Sequence, residues 1–266
     1  MEGLALGQYL PMESAIHRLD PRTKFLSVMF VMLAVVCAGW AGMALVAVLV
    51  GAGIILARIP AGVLWRQVRL LGLIISLTIL IQILFTPGNP LFLMGPVIIT
   101  EQGLTAGLDL FIRLVLIIAA GIILTSTTSP LNLASGIEVL LRPIGRLGVP
   151  VHEIVMAVTI AIGFVPIILD EARAIVTAQI SRGAGFRGPG LARRAGAVVS
   201  LMVPLMTGVF RRSDDLAAAM EARCYQGGAG RTRMRVMSYT RADGVCLTLS
   251  GASLVAAVII RITTAL

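Results

Sequence analysis

Arginine supplies most of the chemistry this sequence could do. Between Arg142 and Arg241 lie Arg146, Arg173, Arg182, Arg187, Arg193, Arg194, Arg211, Arg212, Arg223, Arg231, Arg233 and Arg235, with no lysine among them. A guanidinium is a planar fork of donors that grips a carboxylate or phosphate bidentately, whereas a merely solvated basic surface would mix in lysine. The stretch therefore points to an acidic partner surface. Arginines that only set membrane topology would be fewer, although a high-GC genome also raises arginine over lysine. Two segments present an arginine in the same way: Ala178-Gln179-Ile180-Ser181-Arg182-Gly183 and Ala219-Met220-Glu221-Ala222-Arg223-Cys224-Tyr225. Each reads as a small-residue helix end that exposes one arginine just before the chain breaks. The helix dipole favours a cation there, and small neighbours let the end enter a groove. One such end would be an ordinary charged terminus with a capping glycine; a repeated pair is more than that.

A second constellation is Asp109 and Arg113, four residues apart on one helical face, where each neutralises the other. An ionisable pair inside an apolar run is a functional candidate by default, here the ion or proton site of a secondary transporter. Transporter halves carry repeated broken spans, and none aligns in this chain. No GxxxxGK[ST], HExxH or GxSxG motif occurs, so neither catalysis nor a cofactor is expected. His17 and His152 lie far apart without the spacing of a metal site. The three cysteines, Cys37, Cys224 and Cys246, form no disulfide framework. Nucleic acid is excluded as a partner because the basic stretch lacks lysine and interleaves only Phe186, Phe210, Tyr225 and Tyr239.

The elements that must position these residues are set by lipid. With 58% hydrophobic and 13% charged residues and a mean hydropathy of +0.96, the chain reads as a polytopic, all-α membrane protein. Charged residues such as Glu13, His17, Arg18 and Asp20 precede the first apolar run, which argues against a cleaved signal peptide. Spans are expected over Phe25–Gly39, Ala41–Ala57, Leu70–Phe85, Leu104–Leu124 and Val245–Ile260. Arg18, Arg22 and Lys24 precede the first and Arg58, Arg66 and Arg69 follow the second. The first hairpin turn is uncharged and the loop from Thr86 to Gly103 holds only Glu101. That asymmetry puts the N-terminus in the cytoplasm.

The apolar run Val151–Leu169 raises a problem of parity. Crossing there would place the arginines from Arg173 to Arg241 outside, against the charge rule. Gly163 and Pro166 interrupt the run, so it is expected to be an interfacial or buried helix. Five spans are expected, with six as the alternative. The domains are then 1–124 with four spans, 125–243 with cytoplasmic coupling helices, and 244–266 with the last span. Within the middle domain, helices are expected from Pro130 to Leu141, from Pro166 to the glycines at 183–190, and from Leu191 past Pro204 to Gly227. Arg193, Arg194, Arg211 and Arg212 are expected at lipid headgroups, and Asp214, Asp215 and Glu221 as neutralisers of nearby arginines.

The paired arginine ends, taken with four further segments, resemble the transmembrane T component of energy-coupling factor transporters. Those segments are His17-Arg18-Leu19-Asp20-Pro21-Arg22-Thr23-Lys24, Thr125-Ser126-Thr127-Thr128-Ser129-Pro130, Ile162-Gly163-Phe164-Val165-Pro166 and Met220 to Gly228. The resemblance covers nearly the whole chain. It implies a non-catalytic scaffold between two cytoplasmic ABC-type ATPases and a small membrane subunit that captures a vitamin or metal ion. Arg182, flanked by Ser181 and Gly183, would dock into one ATPase, and Arg223, flanked by Ala222 and Cys224, into the other. The usual Ala-Arg-Gly is altered at both sites while the arginine is kept; Cys224 would pay for a left-handed cap that glycine adopts freely. The tail Gly227–Arg233 is more similar to the branch serving several capture subunits than to the dedicated cobalt branch.

Overall fold

The computed structural model describes residues 12, 14–94, 97–143, 145, 148–183, 191–227 and 238–265. Its helices are α1 (Pro21–Cys37), α2 (Trp40–Ala57), α3 (Ala61–Phe85), α4 (Glu101–Thr127), α5 (Pro130–Leu141), α6 (Val151–Ser181), α7 (Leu191–Ala222) and α8 (Arg241–Ala265). A two-stranded antiparallel hairpin, β1 (Pro90–Met94) and β2 (Val97–Thr100), joins α3 to α4, with a register shift between Pro90 and Phe92. The loop from Thr86 to Gly103 thus holds strands that its proline and glycine content had hidden. Helices of this length and polarity make the chain a helical polytopic membrane protein.

Among the described residues, five helices are long and apolar enough to cross a membrane: α2, α3, α4, α6 and α8. The number matches the expectation, but the membership differs. At 17 residues α1 is at the short limit of a span. The 31 residues of α6 run unbroken through Gly163 and Pro166, so the interruption expected there is absent. Proline removes one donor and crowds one carbonyl; the turns on either side hold the remainder.

The chain divides into two compact units, Met1–Leu140 with Arg235–Leu266, and Leu141–Met234. In the first unit α1 packs against α2, α4 and α8. Val31, Ala34 and Val35 of α1, Val46 and Val50 of α2, Leu116 and Ala120 of α4 and Ala257 of α8 share the buried core. Small residues permit the closest approach: a Cβ on Gly42 would lie 3.5 Å from the Cα of Ala257. Pro21 opens α1 at a position where its missing N–H is not needed, and the Asp20 carboxylate caps the helix by accepting from the Arg22 N–H. Along α3 only Ile75 is buried; Leu70, Leu73, Leu77, Leu80 and Leu84 face outward, while Leu64 packs against the core.

The basic segment ahead of α1 is fastened in the interior. The Asp20 N–H donates to Asp243 Oδ1 at 2.8 Å. The Thr240 N–H and hydroxyl donate to Asp243 Oδ2 at 2.8 and 2.6 Å. Lys24 Nζ donates to the carbonyls of His17 (3.1 Å) and Thr127 (2.9 Å). Arg22 lies over the ring of Tyr239 at 5.6 Å. Asp243 and Thr23 are fully buried and Lys24 is 5% exposed. Buried charges such as those of Asp243 and Lys24 persist only when they are hydrogen-bonded, as both are here. The knot ties the start of α1, the end of α4 and the start of α8.

Candidate functional site: two capped arginine ends

Helices α6 and α7 carry both arginine ends. The Tyr225 hydroxyl meets Met156 Sδ at 3.0 Å, Arg212 Nη2 pairs with Glu171 Oε2 at 3.0 Å, and Gln179 Nε2 donates to the Ser200 carbonyl at 3.4 Å. Residue numbers rise along α6 as they fall along α7, so the two helices pack antiparallel. Gly208 leaves room at mid-length for the Glu171 carboxylate, whose Oε1 would lie 2.5 Å from a Cβ built there. In an antiparallel pair the two C-termini face opposite ways. Arg223 is level with about Met156, which places Arg182 about 40 Å from it along the axis at 1.5 Å per residue.

The two ends share one backbone geometry. At the first, the Arg182 N–H is shared between the carbonyls of Ala178 (3.2 Å) and Gln179 (3.1 Å), and Gly183 N donates to Ile180 O at 2.9 Å. At the second, Arg223 N is shared between Ala219 O and Met220 O, both 3.2 Å, and Cys224 N donates to Glu221 O at 2.9 Å. Tyr225 N then reaches back to Met220 O at 3.1 Å. These are the two bonds of a Schellman cap, with Cys224 at its left-handed position. Gly183 has φ +86° and Cys224 φ +54°. The cysteine therefore adopts the strained conformation that glycine takes without cost. Each cap turns the chain away immediately after the arginine and leaves its side chain outside.

Ser181, Arg182, Gly183, Ala222, Arg223 and Cys224 are all exposed. Neither guanidinium has a carboxylate at ion-pair distance among the described residues. Their neighbours differ in this respect: Arg173 pairs with Asp170 and Arg212 with Glu171. Arg212 is thus part of the α6–α7 contact rather than a headgroup residue. Asp214, Asp215 and Glu221 form no ion pair among the described residues. The side chains of Arg193 and Arg194, the run from 184 to 190 with Arg187, and the tail from 228 to 237 with Arg231, Arg233 and Arg235 lie outside the described residues. Gly183 to Gly188 also spell G-x-G-x-x-G, but they follow a helix, whereas the dinucleotide fingerprint follows a strand.

The Asp109–Arg113 pair forms at 3.1 Å. Its guanidinium also donates to the carbonyls of Val35 (2.6 Å), Val36 and Ala38 (3.1 Å), capping the end of α1. Spacing alone exposed that pair. The roles of Glu171, Gly208, Tyr225 and Asp243 went unread, because each depends on a residue distant in sequence.

Comparison with known proteins agrees along the chain. The family described as CbiQ, cobalt transport protein, matches residues 12–234. Three curated relatives, each named energy-coupling factor transporter transmembrane protein EcfT, are similar over almost their whole lengths. The protein of Acidaminococcus fermentans is 44% identical over 245 residues, 91% of either chain. That of Thermosediminibacter oceani is 42% identical over 262 residues, 98% of this chain and 99% of its own. That of Heliobacterium modesticaldum is 41% identical over 253 residues, 94% of this chain and 95% of its own. The chain belongs to the family of energy-coupling factor transporter transmembrane (T) components.

Proposed function

We propose that this chain is the membrane scaffold that transmits ATP binding and hydrolysis from two cytoplasmic ATPase subunits to a substrate-capturing membrane subunit, for uptake of a vitamin or metal ion. The observation that carries this reading is the pair of matched arginine caps at opposite ends of one antiparallel helix pair. Arg182, with Ser181 and Gly183, engages one ATPase; Arg223, with Ala222 and Cys224, engages the other. A bidentate pair with a carboxylate in a groove suits an arginine held at the tip of a helix, where no acid among the described residues pairs with it first. Hydrolysis belongs to the partners, and this chain contributes no chemistry to it.

In this arrangement α6 and α7 act as levers. Closure of the ATPases drives the two tips together, and the antiparallel contact through Glu171, Gly208 and Arg212 passes the movement along both helices. The apolar, small-residue faces of the levers meet the capture subunit, whose tilt or release follows as a rigid-body event. Residues 1–124 are the membrane domain, 125–243 the cytoplasmic coupling domain and 244–266 the last span, with the N-terminus in the cytoplasm. The orientation rests on Arg18, Arg22, Lys24, Arg58, Arg66 and Arg69 facing the same side. Although α6 is long enough to cross, a crossing would carry the arginines after it to the other side; we therefore assign it to the interface.

The test is to purify the protein in mild detergent from its own cells and identify what accompanies it. Two ATPase subunits and a small membrane subunit should co-purify, and ATP-driven uptake should require all of them. A chain that purifies alone and still supports transport overturns the reading.

A further inference from the structure

The first unit contains a groove that the scaffold role leaves unused. Where α2 begins, beside α3 and α4, a cavity of about 430 Å³ is lined by Trp40, Gln82, Thr105, Ala106, Asp109 and Leu110. Among these six, Asp109 carries the only charge. Its Oδ2 accepts from Arg113 at 3.1 Å, while Oδ1 has no partner among the described residues and the side chain is 28% exposed. Arg113 engages only one oxygen of this carboxylate. Its guanidinium is directed at the carbonyls of Val35, Val36 and Ala38, the negative end of α1.

Helix register places the groove in the bilayer. Lys24 on the Thr127 carbonyl marks a polar level at one end of α4. Asp109 lies 18 residues back along that helix, about 27 Å away at 1.5 Å per residue, against a hydrocarbon thickness of about 30 Å. The groove therefore opens at the opposite hydrocarbon border, where headgroups lie. Trp40, a residue type favoured at that level, is 52% exposed. Leu104, Leu108 and Ile81 beside it are exposed and apolar, so the approach to the groove is from lipid.

We propose that this groove binds the primary ammonium group of an aminophospholipid. Three acceptors are available to its three N–H bonds: Asp109 Oδ1, the Gln82 side-chain carbonyl, and Thr105 Oγ1, whose own proton is directed to the Glu101 and Gln102 carbonyls. The exposed indole of Trp40 supplies a cation–π wall. A quaternary choline group has no N–H to donate to these acceptors, and an anionic glycerol headgroup meets the carboxylate unfavourably. The groove therefore separates primary amines from both.

To test this, the full protein with its accompanying subunits is placed in nanodiscs of equal phosphatidylethanolamine, phosphatidylcholine and phosphatidylglycerol with identical acyl chains. It is then re-extracted in mild detergent and the retained lipid quantified by mass spectrometry. The wild type should retain phosphatidylethanolamine about tenfold over phosphatidylcholine, the scale of one charge-assisted hydrogen bond. Asp109→Asn and Gln82→Leu should each reduce that ratio several-fold. Gln82 is half-buried and makes no side-chain bond among the described residues, so its variant reports on the groove even if loss of the Asp109–Arg113 pair unfolds the other. Retention in proportion to bilayer composition, or an unchanged ratio in a folded Gln82→Leu variant, overturns the proposal. Displacement of the lipid by millimolar glycerophosphoethanolamine would assign the groove to a soluble amine and overturn the lipid assignment.

Discussion

Gly183 and Cys224 hold the same position in two helix caps, and replacing each should move the two ends in opposite directions. Both residues have positive φ, +86° and +54°. Nothing lies within 4 Å of a Cβ built on Gly183, so Gly183→Ala adds no clash and isolates the backbone term. A left-handed conformation costs a residue with a Cβ about 1–2 kcal/mol, from which the greater freedom of glycine in the unfolded chain removes about 0.5–1 kcal/mol. The net is about 1 kcal/mol in either direction, or about fivefold in a local opening equilibrium. Hydrogen exchange of the full protein in detergent reads this directly through the cap amides of Arg182 and Gly183, and of Arg223, Cys224 and Tyr225. Gly183→Ala should speed exchange at the end of α6 about fivefold, and Cys224→Gly should slow it at the end of α7 by a similar factor. Faster exchange in Cys224→Gly would refute the cap geometry, as would slower exchange in Gly183→Ala.

Three further substitutions probe what holds the scaffold. Arg113→Leu leaves the Val35, Val36 and Ala38 carbonyls and Asp109 without their donor; it should destabilise by about 3 kcal/mol or more, seen as a lower thermal midpoint in detergent. Asp243→Asn sets an amide donor against the Asp20 or Thr240 donors and should cost about 2–3 kcal/mol in the same assay. A double-mutant cycle of Glu171→Gln and Arg212→Gln should give a coupling of only about 0.5–1 kcal/mol, because the pair is part-exposed at 26% and 42%.

Local signals were legible wherever a single stretch of chain decides the outcome. Pro130 and Leu141 bound α5 as expected, Ala57 and Phe85 end their helices, and Gly183 and Cys224 mark the two caps. Asp109 and Arg113 were found because four residues are one helical turn. What stayed hidden depends on distant partners. Asp20 and Asp243 meet across 223 positions, and nothing near either residue announces the other. Glu171 and Arg212 each look like a surface charge until α6 and α7 are laid antiparallel. Pro166 reads as a break in isolation, yet a 31-residue helix absorbs the loss of one hydrogen bond. The hairpin between α3 and α4 was obscured because prolines and glycines crowd the sequence around strands of only five and four residues.

The central claim is that Arg182 and Arg223 each hold one ATPase, and subunit stoichiometry tests it most directly. Both side chains are exposed and form no ion pair among the described residues, so Arg182→Ala and Arg223→Ala should change thermal stability by less than about 0.5 kcal/mol. Quantitative mass spectrometry of the purified complexes should then give two ATPase copies per scaffold in the wild type, fewer in each single variant and almost none in the double variant, with transport falling in step. Two retained copies and undiminished ATP-driven uptake in the double variant would contradict the claim.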